Sequence, residues 1–435
     1  AGPAPHDLTH VLGAYLDRHL VFPLLEFLQE KEMYSSEDIL KGKLSLLYPT
    51  NMVDFAMDIY KKLYATDEVP EGMVERRAQV VERLKQLEAD TEPLRVVLDD
   101  QALVEHLRAE KSFTMSHLAA QHGVAEGSLD TLYEWARFQH ECGNYGGAAE
   151  CLQHFRLLTS NPEAAFQALW GKLAAEILTR SWDAALESIG RVREAIEQRA
   201  GSTPTLLQLQ QRCWLMHWSL YVYFNHENGR AALVDLFFQD RYLNALQTAC
   251  PHLLRYLTVA LTLSRRKRNL MRELTRIAVQ EAPNYSDPLT QFVTTLYNDM
   301  DFDGALAHLD ACEEVMASDF FLVGCRADFV LASKQLVFES YCRIHQRIDI
   351  GTVAGKLKMS VEDAERWVVN LVRDAHLDAR IDSQEGHVVI SASTPSAYQK
   401  VLEKTKGLQF RSLVLANALE QRSSEKPATG AAAAQ

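Results

Sequence analysis

Three groups of residues in this chain have types and spacings that bear on chemistry. The first is "RRKRNLMRELTR", where Arg265, Arg266, Lys267 and Arg268 are four successive cations. Such a run can contact nucleic-acid phosphate or be read as a nuclear import signal, and the competing reading is a solvated loop entering a helix. The second is His6 and His10, at i and i+4 on one helical face. A metal site normally needs three or four ligands and no third lies nearby in sequence, so no metal is expected there. The third is the set of seven cysteines, none spaced as CxxC. Most fall on apolar faces of expected helices, where free Cys acts as a small buried hydrophobe, and this points to a reducing compartment. There is no GxxxxGK[ST], GxGxxG after a strand, GxSxG or HExxH, and the carboxylates lie on solvated helix faces. No catalytic residue and no cofactor are therefore expected.

The elements around these groups belong to a soluble globular chain. Apolar residues make up 47% and charged ones 24% of 435 residues, and the net charge is −13. That excess of acid rules out a surface devoted to phosphate, so any nucleic-acid contact must be local. The longest uncharged aromatic stretch, residues 213–226, is shorter than the about 20 residues of a membrane span, and the start lacks the pattern of a secretory signal. A cytoplasmic protein with no membrane contact is expected, with a minor nuclear pool open through the basic run. The N-terminal region, 1–128, reads as stacked antiparallel helices. Its first helix runs to about Leu20 and the next starts at Pro23; others cover 36–47 and 51–64, and a long bent helix passes Pro93.

An internal repeat begins near residue 129. "NYGGAAECL", "SWDAALESI" and "DFDGALAHL" each carry an aromatic (Tyr145, Trp182, Phe302), an Ala three residues on (Ala148, Ala185, Ala305) and an aliphatic seven on (Leu152, Ile189, Leu309). The first two aromatics are 37 residues apart and the next interval is 120, close to three such periods. This is the spacing of tetratricopeptide-like helical pairs: Ala lets two helices approach, and no pair buries its apolar face alone. Residues 129–345 therefore read as a right-handed α-solenoid. Within it "CWLMHWSLYVYFN" reads as a buried helix, with Trp214, Trp218 and Tyr221 as core rather than a ligand box.

Residues 346–392 change pattern to a short helix, a second helix from Ser360, and a hairpin of "ARID" and "HVVIS" around Ser-Gln-Glu-Gly, the outline of a winged helix. Between Ile348 and Ile390 eight acids stand against five bases, a net of −3, and the helix that would read a groove leads with Glu362 and Asp363. Base readers place Arg, Lys, Asn or Gln there. The apolar, β-branched hairpin strand holding His387 and Val389 reads instead as an exposed edge able to recruit another chain's strand. Residues 393–422 then form one long helix whose seam, including Val401, Leu408, Leu415 and Leu419, suits a partner helix. The tail, 423–435, is Ala-rich and expected to be disordered.

A helical-repeat array followed by a winged helix and a long helix resembles the PCI domain, named for the proteasome lid, the COP9 signalosome and translation initiation factor 3. The segments "RHLVFPLLEFL", "NMVDFAMDIY", "LDTLYEWARFQHECGNYGGAAECL", "YLNALQTACPHLLRYL" and "AERWVVNLVRDAHLDARIDSQEGHVV" are similar to one family of PCI proteins within that initiation factor, its e subunits, through about residue 420. The resemblance implies a non-catalytic scaffold. Its PCI domain would lie in an arc of PCI domains, its last helix in a shared helical bundle, and its neighbours would be the c, l and d subunits. The complex would bind the small ribosomal subunit and support mRNA recruitment, with at most weak contact to ribosomal RNA or mRNA. The alternatives are a winged-helix nucleic-acid-binding regulator and a PCI subunit of a proteasome-lid or signalosome-like complex.

Overall fold

The computed structural model describes residues 6–109, 113–122, 127–264, 268–345, 347–357, 360–374, 379–382, 386–390 and 397–424. The chain divides into two compact units, Ala1–Phe338 and Glu339–Gln435. The first unit is a helical solenoid. Helices Ser128–Cys142, Tyr145–Leu158, Pro162–Leu178, Trp182–Gln198 and Thr205–Tyr223 each pack on their sequence neighbours, as stacked antiparallel pairs do.

The repeat motif works at the turns between helices. Each of the three motif helices is preceded by a residue in the left-handed region, Gly143, Arg180 or Met300, and then by the N-cap Asn144, Ser181 or Asp301. Asn144 accepts a hydrogen bond from the Gly147 amide, and Asp301 accepts from Asp303 and Gly304. These bonds satisfy donors that a helix start leaves open. The aromatic then opens the helix, and Ala148, Ala185 and Ala305 have no exposed surface at all. A larger side chain at any of the three would hold the adjoining helices apart.

The N-terminal helices join this core. Asp17 accepts from the His19 amide and starts the helix Arg18–Glu30, so Pro23 lies inside the helix. The expected helix start at Pro23 is thus displaced by five residues, because the Asp17 cap outweighs the proline signal. Leu12, Leu20 and Leu24 belong to the same buried cluster as residues from Phe166 to Val337. The helix Thr205–Tyr223 holds the N-terminal segment through three of its side chains: Trp218 donates its indole N–H to the Tyr15 carbonyl at 3.0 Å, Tyr221 donates to the Leu20 carbonyl, and His217 stacks on Tyr15 at 4.1 Å. Trp170 packs edge-on against Trp214 and Trp218. Of the aromatic stripe, Tyr221 is buried in the core, Trp218 packs half-buried against it and Trp214 is half-buried beside Trp170; the polar tips of Trp218 and Tyr221 are bonded to backbone, as such rings require. Further along, Glu71–Asp99 stays helical through Pro93 and packs Leu87, Thr91, Leu94 and Leu98 inward, with Leu87, Leu94 and Leu98 in one cluster with the helix Ser128–Cys142.

Charge is also buried in this unit. The guanidinium of Arg255 bonds Asp287 at 2.9 Å, Asp319 at 3.1 Å and the His6 carbonyl at 2.9 Å. Tyr256 donates to Asp319 and Tyr285 to Asp287, each at 3.0 Å. Asp287 in addition caps the helix Pro288–Thr294 through a reciprocal box with Thr290. A buried charge persists only when paired and hydrogen-bonded, and each of the three guanidinium nitrogens has its own acceptor. None of the cysteines forms a disulfide among the described residues, and Cys213, Cys250, Cys312, Cys325 and Cys342 are buried.

The second unit contains a winged helix built on a three-stranded antiparallel sheet: β1 (Arg347–Asp349), β2 (Ala379–Asp382) and β3 (His387–Ile390), in the order β1-β3-β2. Between β1 and β2 run the helices Ile350–Leu357 and Val361–Asp374. Ile348, Ile350, Val353, Ala364, Val368, Leu371 and Val388 form the buried side. The long helix Ala397–Ser424 follows. Of the expected Ser-Gln-Glu-Gly turn only Gly386 is described, with a positive φ of 68°; of the expected tail 423–435, Ser423 and Ser424 still belong to the helix and 425–435 lie outside the described residues. Among the described residues no helix is long and apolar enough to cross a membrane.

Candidate protein interface

The hairpin strand β3 alternates between two faces. Val388 turns inward and is buried with Ile348, while His387 and Val389 occupy the opposite face. The register places Arg347 and Arg380 on either side of Val389, and Asp349 and Asp382 on either side of His387. The outer face is thus a basic row around a 43%-exposed valine, beside an acidic row around a half-buried histidine. Asp349 also caps the helix Ile350–Leu357, accepting from the Thr352 hydroxyl at 2.6 Å and the Thr352 amide at 2.8 Å. These bonds, led by the hydroxyl, hold its carboxyl below the usual range.

The expectation that β3 offers a free edge is overturned. β3 is the central strand, paired with β1 on one side and β2 on the other. The third strand is silent in the sequence because Arg347–Asp349 is only three residues long and pairs with residues some forty positions later. Strand pairing of that kind leaves no local trace. Only β1 and β2 have outer edges, so His387 and Val389 can meet a partner through their side chains and not through their backbone.

The helix Val361–Asp374 begins at Ser360, whose hydroxyl accepts from the Asp363 amide at 3.2 Å and donates to its carboxylate at 2.6 Å. Glu362 and Asp363 are exposed in the first turn, and Val361 and Val369 are exposed on the same helix. An acidic leading turn repels phosphate rather than reading a groove.

Every described side chain of Ala397–Ser424 from Ala397 to Glu420 is exposed. Val401, Leu408, Leu415 and Leu419 do lie on one side at 3.6 residues per turn, with Leu408 62% and Leu415 64% exposed. Phe410, Leu413 and Val414, which stand outside that seam, are exposed on another side. Two apolar stripes on one helix suit burial among several helices rather than against one. Counting all apolar positions around the wheel, instead of following one seam, would have found the second. Of the basic run, Arg265, Arg266 and Lys267 lie outside the described residues; Arg268 opens the helix Arg268–Glu281 and its side chain is likewise undescribed.

A helical solenoid, a winged helix and a long exposed apolar helix, with no enzyme motif, define a PCI-type helical-repeat protein. Comparison with known families agrees: residues 308–392 match the PCI domain, and residues 7–139 match the model described as eIF3 subunit 6 N terminal domain. A protein of Arabidopsis thaliana is 47% identical over 425 residues, covering 95% of this chain and 96% of its own length. One of Bombyx mori is 43% identical over 425 residues, covering 96% and 95%, and one of Aspergillus clavatus 43% over 418, covering 94% and 92%. All three are named as the E subunit of eukaryotic translation initiation factor 3. The chain belongs to this family, the E subunits of eukaryotic translation initiation factor 3.

Proposed function

We infer that the chain is a non-catalytic, cytoplasmic scaffold subunit of translation initiation factor 3, which docks through its C-terminal unit. The observation that carries this is the helix Ala397–Ser424, where eight large apolar side chains between Val401 and Leu419 are more than half exposed. In water such a helix is under strong pressure to bury them, at about 1.5–3 kcal/mol for each fully covered Leu, Val or Phe. Its occupants in this reading are the corresponding helices of other PCI-type subunits in a shared bundle. The outer face of the sheet, with Val389 between Arg347 and Arg380, meets a neighbouring winged helix by side-chain packing. The c and l subunits are the adjoining chains and the d subunit is anchored nearby. The small ribosomal subunit and mRNA are engaged by the assembled factor.

Direct nucleic-acid contact is confined to the run Arg265, Arg266, Lys267 and Arg268. Replacing all four by Ala should weaken ribosomal RNA binding and flatten its salt dependence. Filter binding of the isolated chain to RNA and duplex DNA across a salt series tests the scaffold reading: weak binding supports it, and tight, steeply salt-dependent binding to duplex DNA would favour a nucleic-acid regulator.

A further inference from the structure

We propose that Asp17, His19 and His140 form a binding site for a zinc-class divalent ion, tying the N-terminal helix Arg18–Glu30 to the repeat helix Ser128–Cys142. One ligand atom from each of the three lies within 4.8 Å of the others, and all three residues are at least half withdrawn from solvent. Among the described residues they are the group of three or more ligand side chains with this closeness.

The side chains are already aimed. Asp17 uses one carboxylate oxygen, Oδ2, to cap its helix at the His19 amide, 3.1 Å away, which fixes the carboxylate beside the His19 ring. The Nδ1 of His19 is held 3.0 Å from the Tyr145 hydroxyl. A ligating histidine characteristically uses its second nitrogen in this way, with the outer partner setting the ring's tautomer and orientation. His140 packs edge-on to His19 with ring centroids 4.6 Å apart, and its Nε2 is buried with no hydrogen-bond partner among the described residues. A buried imidazole nitrogen without a partner is uncommon in a folded protein, and a metal ion would satisfy it.

Two imidazoles and one carboxylate are a borderline donor set of nitrogen and oxygen. It selects zinc and its transition-metal neighbours over magnesium and calcium, which take oxygen. Three protein ligands leave a fourth position. A cavity of about 140 Å³ adjoins His19 and Tyr145; its wall is mainly apolar, from Phe22, Leu47, Met52 and Leu178, with Arg18 and Thr50 as further polar members. The ion would act as a cross-link, because Asp17 and His19 start the helix Arg18–Glu30 while His140 lies on the helix Ser128–Cys142, far along the chain. Nothing in the sequence pattern joins them, since Asp17 caps and His19 begins the helix Arg18–Glu30 while His140 lies in the last turn of Ser128–Cys142.

The test is a zinc competition titration of the full chain, stripped with chelator, against a chromogenic chelator. Thermal unfolding is followed with and without zinc. One ion per chain is expected, with a zinc-dependent rise in the unfolding midpoint. Tyr145→Phe should weaken binding by about 10- to 100-fold, the effect of losing an outer partner, and His140→Gln by more. Asp17→Asn keeps the helix cap, because Asn caps as well as Asp, so that variant folds and isolates the lost ligand. Wild-type zinc affinity in Asp17→Asn or His140→Gln, or no zinc bound by the wild type beyond that bound by His140→Gln, would overturn the assignment.

Discussion

Replacing Arg255 by Met should unfold the first unit far more easily, although Met keeps much of the aliphatic stem and suits a fully buried site. The Arg255 side chain is 2% exposed, and its partners Asp287 and Asp319 are 1% and 5% exposed. Burial pushes the Asp319 carboxyl up, and only Arg255, Tyr256 and the Phe321 amide draw it back. For Arg255 burial acts to lower the pKa, but the surrounding Tyr285, Asp319, Tyr256 and Asp287 raise it overall, so the guanidinium stays charged. The guanidinium has three bonds within 3.1 Å, to Asp287, Asp319 and the His6 carbonyl, so each of its nitrogens is paired in the folded chain. Removing one partner leaves carboxylates buried without a cation, which costs about 3–5 kcal/mol. That is a large part of the about 5–15 kcal/mol that holds a domain together. Removing Asp319 as well, as Arg255→Met with Asp319→Leu, should recover more than about 1 kcal/mol relative to the sum of the single changes. Urea unfolding followed by tryptophan fluorescence reads this unit, because Trp135, Trp170, Trp182, Trp214 and Trp218 lie in it and only Trp367 lies outside. A loss under about 1 kcal/mol for Arg255→Met, or strict additivity in the double variant, would refute the reasoning.

Three further outcomes are expected. His217 and His252 share a hydrogen bond of 2.8 Å, and burial first, then each one's charged or imidazole neighbours, lowers them to about 3 and about 4. Both are neutral in the folded chain while the unfolded chain takes up protons below about pH 6.5, so stability is intact above that pH and lost as pH falls toward about 4. For His252 alone the shift corresponds to about 3 kcal/mol at most; the unfolding midpoint should fall between about pH 6.5 and 5, and His252→Gln should flatten that slope. Gly143→Ala should cost about 1–2 kcal/mol, because φ is +90° and the new Cβ would lie 3.3 Å from the Met52 methyl; an unchanged midpoint would contradict the left-handed turn. Ala185→Leu should cost about 1–3 kcal/mol by forcing adjoining helices apart, and a stability equal to wild type would show that the motif's small residue is not needed.

What is legible in the sequence is what depends on neighbours along the chain. The repeat can be read because a cap, an aromatic and an Ala fall within a few residues of one another, and each has a local reason to be there. The acids at Glu362 and Asp363 and the seam of Val401, Leu408, Leu415 and Leu419 are likewise visible from spacing. What stays hidden depends on distant pairing. β1 has three residues and finds β3 only in the fold, so the sheet's central strand reads locally as its edge. The docking of Tyr15 and Leu20 onto Trp218 and Tyr221 joins segments some 200 residues apart. The cluster of Asp17, His19 and His140 arises in the same way, while the one histidine pair that spacing does reveal, His6 and His10, is not part of it.

The central claim is that the C-terminal helix holds this chain in its assembly. The direct measurement is co-purification of the tagged Leu408→Asp, Leu415→Asp double variant with the other subunits of translation initiation factor 3, with helix content checked by circular dichroism. Both residues are exposed in the isolated chain, so folding should be unchanged, while each carboxylate would have to be buried unpaired in a helical bundle. The account predicts a folded chain recovered without its partners, and full recovery of the other subunits with the double variant would contradict it.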